Sequence, residues 1–372
     1  MSPTIFANIS KIIERDSKST TYKFALLRGV IDLIQDQSPY IKFSEDRVTF
    51  PTGLLIEKWM LYYYPIFESS IPVPQIHGNT QLAFGPYFQK LVDAYRPIGG
   101  FSAFYNDLTS KGIPAHLRSD FQALATQLKS TITKMPMKYI GKSVTQQEYG
   151  IFQYSNKLDT LVPPDKDREY LIHRFGSFSI PYDYYEAFEV LGSFITGQDS
   201  IFFKWAEFSV NASGQNLSIE KVVGEVLKSP ITSRDVLESK KLYQSMLQSE
   251  GRVSCVWSGE PIRRYDVDHV IPFSVWKNND LWNLLPSSPK TNSQKKDKIP
   301  SVSLIARQKD LIVHYWEILL AHQPGRFEKE IQVSLLGNHG FRSSNWQNQA
   351  IEQLQKSCGY LIEKRGFEEW GA

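Results

Sequence analysis

The chain is poor in the features that mark several protein classes. Its 372 residues hold only two cysteines, Cys255 and Cys358. Two thiols cannot build a disulfide framework, and the count fits a reducing cytosol. No apolar run approaches the roughly 20 residues that a membrane span requires, so no membrane association is expected. The opening stretch MSPTIFANISKIIERDSKST lacks the apolar core of a signal peptide. A soluble, cytoplasmic protein is therefore expected, and the Asn-x-Ser sequons at Asn8, Asn211 and Asn216 carry no weight as glycan sites. Excess charge is also scarce: 42 Lys and Arg against 39 Asp and Glu give +3. A protein that coats nucleic acid through bulk charge would be far more basic, so any such contact must come from a local patch.

Common phosphate-binding and nucleophile motifs are missing too. YIGKSV ends like a phosphate-binding loop, but the glycine required five residues before Gly141 is Pro136. There is no G-x-G-x-x-G, and GSFSIP has no nucleophile-elbow spacing. His77, His116, His173, His314, His322 and His339 are scattered and are best read as packed or surface histidines.

What is present is apolar and aromatic. Hydrophobic residues make up 41% and aromatics 13%, enough for a globular chain of two or three domains. Helix-spaced apolar residues run through SKSTTYKFALLRGVIDLI, behind Ser/Thr capping candidates. YIKFSEDRVTF predicts a hairpin, and PTGLLIEKWMLYYYPIFE and HLRSDFQALATQLKSTITKM predict helices. Residues 1–136 thus form an expected helical domain, compatible with a winged-helix-like arrangement. Residues 137–250 are expected to be mixed. KYIGKSV, GIFQYSN and YLIHRFGSFSI predict strands; PYDYYEAFEVLGSFI and IFFKWAEFSVNAS predict helices; a polar helical stretch broken at SPIT follows. Residues 301–372 are helical again and are expected to pack on the segment before them.

That segment, 251–300, differs. VSCVW leads through the turn residues SGEP to RRYDVDHVIP, a predicted hairpin. A loop of about a dozen residues is expected next. SPKTNSQKKDK then predicts a short helix, capped by Ser288 with Pro289 at its first position. Asp268 and His269 stand side by side; Asn283 lies 14 residues beyond His269, and Asn292 another 9. Adjacent strand residues face opposite ways, so Asp268 and His269 converge only if the strand twists, bulges or ends there.

In these residues the sequence resembles the HNH endonuclease family, whose fold is a ββα-metal unit. YDVDHVIPFSVWKNNDLWNLLPSSPKTNSQKKDKIP also looks like the HNH domain of the RNA-guided CRISPR effector nuclease. The flanks TTYKFALLRGVIDLI, LLIEKWMLYYYPIF and CGYLIEKRGFEEW are similar to stand-alone HNH proteins of bacterial restriction and anti-phage defence. The implied fold class is α+β: a mostly helical multidomain chain carrying a ββα nuclease unit. The implied activity is metal-dependent hydrolysis of DNA. His269 would be the general base, since a neutral imidazole can take a proton from water. Asp268 and Asn292, with Asp266 assisting, would offer oxygen ligands that favour Mg²⁺ or Mn²⁺. The resemblance gives Asn283 a supporting role in the loop. Lys290, Lys295, Lys296 and Lys298 are candidate phosphate contacts.

Many relatives carry two C-x-x-C pairs for a structural zinc. Here those positions read Cys255, Ser258, Ser288 and Thr291, so no structural zinc is expected. Trp257, Phe273, Trp276 and Trp282 are expected to pack in its place. The large flanks suggest a protein partner or a homo-oligomer. They also raise an alternative, a nuclease subunit held inactive until an ATPase, a guide complex or a phage signal releases it.

Overall fold

The computed structural model describes residues 3–15, 19–76, 81–157, 167–193, 195–226, 234–341, 343 and 345–371. His77 and the expected helix break at 229–232 lie outside these. The chain divides into two compact units, Met1–Pro230 and Ile231–Ala372. Among the described residues no helix is long and apolar enough to cross a membrane.

In the first unit α1 (Pro3–Arg15) precedes α2 (Tyr22–Gln35), whose Phe24, Leu27, Val30, Ile31 and Ile34 are buried as their spacing predicts. The expected hydroxyl cap is not used. Thr21 stands at the N-cap, but its hydroxyl bonds the Tyr63 hydroxyl at 2.9 Å. The hairpin β1 (Lys42–Phe43) and β2 (Arg47–Pro51) follows, then α3 (Thr52–Glu68). Leu55, Trp59, Met60, Tyr63 and Tyr64 are all sealed from solvent, as befits a helix that is apolar nearly all round. Gly53 lets the start of α3 approach its neighbour, because a Cβ there would lie 1.7 Å from the Leu171 carbonyl oxygen. Next come α4 (Gly85–Tyr95), α5 (Gly100–Asn106) and α6 (Arg118–Lys134).

Beyond residue 136 two expectations need correction. KYIGKSV is not a strand but two helical turns, α7 (Pro136–Tyr139) and α8 (Lys142–Thr145). Pro136 sits at the first turn of α7, where its fixed φ favours a helix. β3 (Gln153–Ser155) forms as predicted. YLIHRFGSFSI instead splits into α9 (Asp167–Arg174) and β4 (Ser177–Pro181). Gly176 makes the split, with φ at +67° and no room for a Cβ, which would lie 2.1 Å from the Ser155 carbonyl oxygen. β4 pairs antiparallel with β2 on one side and β3 on the other, giving the order β1-β2-β4-β3. The early hairpin is therefore no free wing; one sheet joins strands from both sides of residue 136. The helices α10 (Tyr182–Ser193), α11 (Ile195–Ala212) and α12 (Ile219–Val226) complete this unit.

The second unit opens with α13 (Leu237–Glu250). β5 (Val253–Ser254) pairs with β6 (Pro261–Ile262), and β7 (Asp266–His269) pairs antiparallel with β8 (Leu284–Ser287). α14 (Pro289–Lys295), β9 (Ile299–Pro300), α15 (Val302–Arg307), α16 (Lys309–His322), α17 (Pro324–Ile331), α18 (Trp346–Glu363) and β10 (Glu369–Trp370) follow. The hairpin partner of the DVDH segment is thus β8, not VSCVW. The sequence LLPS reads as loop, yet burial of Leu284 and Leu285 makes it a strand. Tyr243 donates to the Leu284 carbonyl at 2.8 Å, and the Val256 amide donates to the Pro286 carbonyl at 2.8 Å. Trp316 donates its indole N–H to the Trp282 carbonyl at 2.8 Å, fixing α16 against the turn before β8.

Candidate active site

His269 is the last residue of β7. The strand thus ends at the second of the two adjacent residues, one of the conditions under which their side chains can converge. The chain leaving it is held by Asn283, which is fully buried. Asn283 Oδ1 accepts from the Ile271 amide at 2.8 Å, and its Nδ2 donates to the Ile271 carbonyl at 3.1 Å. The two bonds act as a small backbone-like bridge across the loop mouth.

Asp268 is 5% exposed and Lys295 is not exposed at all. Asp268 Oδ1 accepts from Lys295 Nζ at 3.1 Å, and Oδ2 accepts from the Trp257 indole N–H at 2.7 Å. Lys295 Nζ also donates to the His269 carbonyl at 2.6 Å. Burial pushes the Asp268 carboxyl up, while the Lys295 ammonium and the Trp257 N–H pull it down. Lys295 was expected to reach a phosphate. It does not: it points inward from α14 and neutralises a buried carboxylate, because an unpaired charge there would be costly. Lys298 forms an ion pair with Glu368. Lys290 and Lys296 are exposed.

Asp266 and Asn292 meet at the rim, with Asn292 Nδ2 donating to Asp266 Oδ2 at 3.1 Å. Both are half-buried. Among the described residues no group of three or more His, Cys, Asp and Glu side chains is placed to hold a metal. A cation here would therefore draw on Asp266, Asp268 and the amide oxygen of Asn292. Each Asp268 oxygen makes one hydrogen bond and keeps a second lone pair. The donors are hard oxygens and few, which fits a hydrated hard cation that retains water ligands.

His269 is 4% exposed. Its Nε2 lies 3.1 Å from Asn279 Oδ1, and its ring packs edge-on against Phe273 with centroids 5.6 Å apart. Burial lowers its pKa to about 4, with the positive Arg234 and Lys295 adding to the shift and the Asn279 bond opposing it. Asn279 is itself braced: its carbonyl accepts from Arg326 at 3.1 Å, and Arg326 pairs with Glu330 at 2.6 Å. Glu330 also accepts from the Leu281 amide at 2.7 Å.

The positions that hold zinc in many relatives are knitted by hydrogen bonds. Cys255 Sγ accepts from the Ser288 amide at 3.3 Å. Ser288 Oγ accepts from the Thr291 amide at 3.1 Å and lies 2.7 Å from the Thr291 hydroxyl. Trp257 and Trp282 are buried, whereas Phe273 and Trp276 are only half-buried.

The sequence does not reveal the roles that the structure gives three residues. Lys295 was legible in principle, since it lies three residues from Asn292 and shares its helix face. Trp257 was assigned to packing alone. Asn279, ten residues beyond His269, carries no local signal.

Residues 3–226 match the family model of a domain of unknown function (DUF8808), and residues 255–301 match that of an HNH endonuclease. The chain is 30% identical over 109 residues to the CRISPR-associated endonuclease Cas9 of Streptococcus mutans, covering 28% of this chain and 8% of that protein. It is 27% identical over 118 residues to the Cas9 of Listeria innocua, covering 29% and 8%. The chain thus spans less than a tenth of the length of these relatives. No solved structure matches it. The chain belongs to the DUF8808 family, whose model covers residues 3–226, and residues 255–301 carry an HNH endonuclease domain with a Cas9-like motif.

Proposed function

We propose that the chain is a metal-dependent DNA endonuclease that hydrolyses phosphodiester bonds with His269 as general base. The observation that carries this is the assembly of Asp268-His269, Asn283 and Asn292 on one strand–strand–helix unit inside the HNH match. With Asn279 Oδ1 facing Nε2, the imidazole carries its proton on Nε2 and keeps the Nδ1 lone pair for the attacking water. Its lowered pKa keeps it in the neutral form at pH 7, as a general base requires. Asp268 and Asn292, with Asp266, would hold Mg²⁺ or Mn²⁺, which neutralises charge on the phosphate and the leaving oxygen. Lys295 fixes the Asp268 carboxylate and the His269 backbone together. Lys290 and Lys296 steer the phosphate backbone without reading bases. A role in bacterial anti-phage defence or restriction, in the cytoplasm, accords with the Cas9-like motif.

A second reading has its own support. His269 and Asp268 are nearly closed to solvent, and both Asp268 oxygens already have donors. That favours a nuclease that opens only when a partner, such as an ATPase, a guide complex or a phage signal, acts on it. Supercoiled plasmid incubated with the purified chain tests both. Mg²⁺-dependent cutting that EDTA abolishes supports the first reading. Cutting that survives EDTA overturns the metal assignment, and cutting only after a partner is added favours the second.

A further inference from the structure

The first unit carries a cleft of about 340 Å³ whose lining is chemically one-sided. Lys129, Tyr154, Asn156, Tyr170, Arg174 and Phe175 border it, and among the described residues no carboxylate lines it. The fold builds these walls deliberately. Lys129 projects from α6. Arg174 ends α9, and the close passage of Gly176 past Ser155 brings Phe175 beside β3. The Tyr154 hydroxyl is fixed by Asn156 Oδ1 at 2.6 Å and by the Phe175 carbonyl at 3.1 Å. Lys129 Nζ donates to the same Asn156 oxygen at 3.1 Å and sits 5.1 Å from the centre of the Tyr154 ring. Its charge is thus held by a neutral oxygen and an aromatic face, both of which leave it positive. Tyr170 is half-buried and stands at 89° to the buried Phe175, with centroids 5.7 Å apart. Two cations and prepositioned rings, with no anion among the described lining residues, call for an anionic, flat ligand. The volume suits a small molecule of nucleotide size.

We propose that this cleft binds a nucleoside phosphate, with Lys129 and Arg174 on the phosphate and Tyr170 stacking on the base. Paired cations supply charge-assisted hydrogen bonds, and an aromatic face accepts any base. The phosphate belongs either to a free nucleotide or to a single strand, and the chemistry is shared. This inference concerns only the first unit and stands whether or not the nuclease reading holds.

The test uses the full chain carrying His269→Ala, in EDTA, so that nothing is cut and no metal recruits phosphate. ATP, AMP and dTMP are titrated by calorimetry, and a labelled oligothymidylate by fluorescence anisotropy. Arg174→Ala, Lys129→Ala and Tyr170→Ala are each expected to weaken binding by about tenfold or more, with Tyr170→Phe retaining it and thermal melts unchanged. Lys356→Ala, at an exposed position of α18 in the second unit, is expected to leave nucleotide binding unaltered. Tighter binding of a free nucleotide than of the oligothymidylate identifies a nucleotide site, and the reverse identifies a strand site; either supports the proposal. It is overturned if no probe binds, if the three cleft variants bind as well as the parent, or if inorganic phosphate competes as well as the nucleotides do.

Discussion

Asp268 and Lys295 form an ion pair sealed from water, and such pairs respond unequally to single and double changes. Removing one partner strands a buried charge and typically costs about 3–5 kcal/mol. Lys295→Met is therefore expected to lower stability by that amount in urea unfolding, and Asp268→Asn added to it to recover most of the loss. A Lys295→Met chain as stable as the parent would contradict the buried pairing. His269 adds a pH signature. Its ordinary pKa of 6.5 falls to about 4 in the fold. The folded state then binds fewer protons than the unfolded state between these values. Stability is present above pH 6.5 and lost as the pH falls through 4, by about 3 kcal/mol in all. Unfolding of the EDTA-treated chain across that range, beside His269→Asn, measures the difference; the variant is expected to lose less. Equal slopes for the two would remove the burial argument.

Short elements hold the site as much as side chains do. β10 lies parallel to β9, and its Trp370 stacks edge-on against Trp257 at 5.5 Å, the residue that bonds Asp268. Trp370→Ala is expected to cost about 3 kcal/mol through the cavity it leaves, and to slow cutting by loosening Trp257. A variant that melts lower yet cuts at the parent rate would break the link between that clamp and the site. At this scale the sequence was partly readable. α14 with its Ser288 cap and Pro289 was legible because capping chemistry is local. β8 was not, since LLPS carries loop residues and only its pairing with β7 and its carbonyl bonds to Tyr243 and Val256 make it a strand. YLIHRF passed for a strand because its apolar pattern is short, and the contact of Gly53 with Leu171 that favours the helix is distant in sequence. The same divide governs the site. Asp268, His269, Asn283 and Asn292 are proposed through a resemblance carried by local motif residues, whereas Asn279 depends on a brace from Arg326 and Glu330 that no motif reveals.

Over the whole molecule, charge is nearly balanced, and of the four lysines first expected at phosphate only Lys290 and Lys296 are both exposed and outside a named ion pair. Two phosphate contacts give a plot of log affinity against log salt with a slope of about −2. Duplex binding by the His269→Ala chain in Ca²⁺, measured by anisotropy from low to moderate salt, is expected to show that shallow slope. A much steeper one would mean that surfaces beyond the nuclease unit grip DNA.

In the proposed mechanism His269 takes the proton from the attacking water. Plasmid cleavage in Mg²⁺ by the parent chain and by His269→Ala, under the conditions that activate the parent, tests it most directly. The expected result is a loss of about 10²–10⁴-fold in rate at a temperature where both chains remain folded. A His269→Ala chain that cuts as fast as the parent would contradict the account.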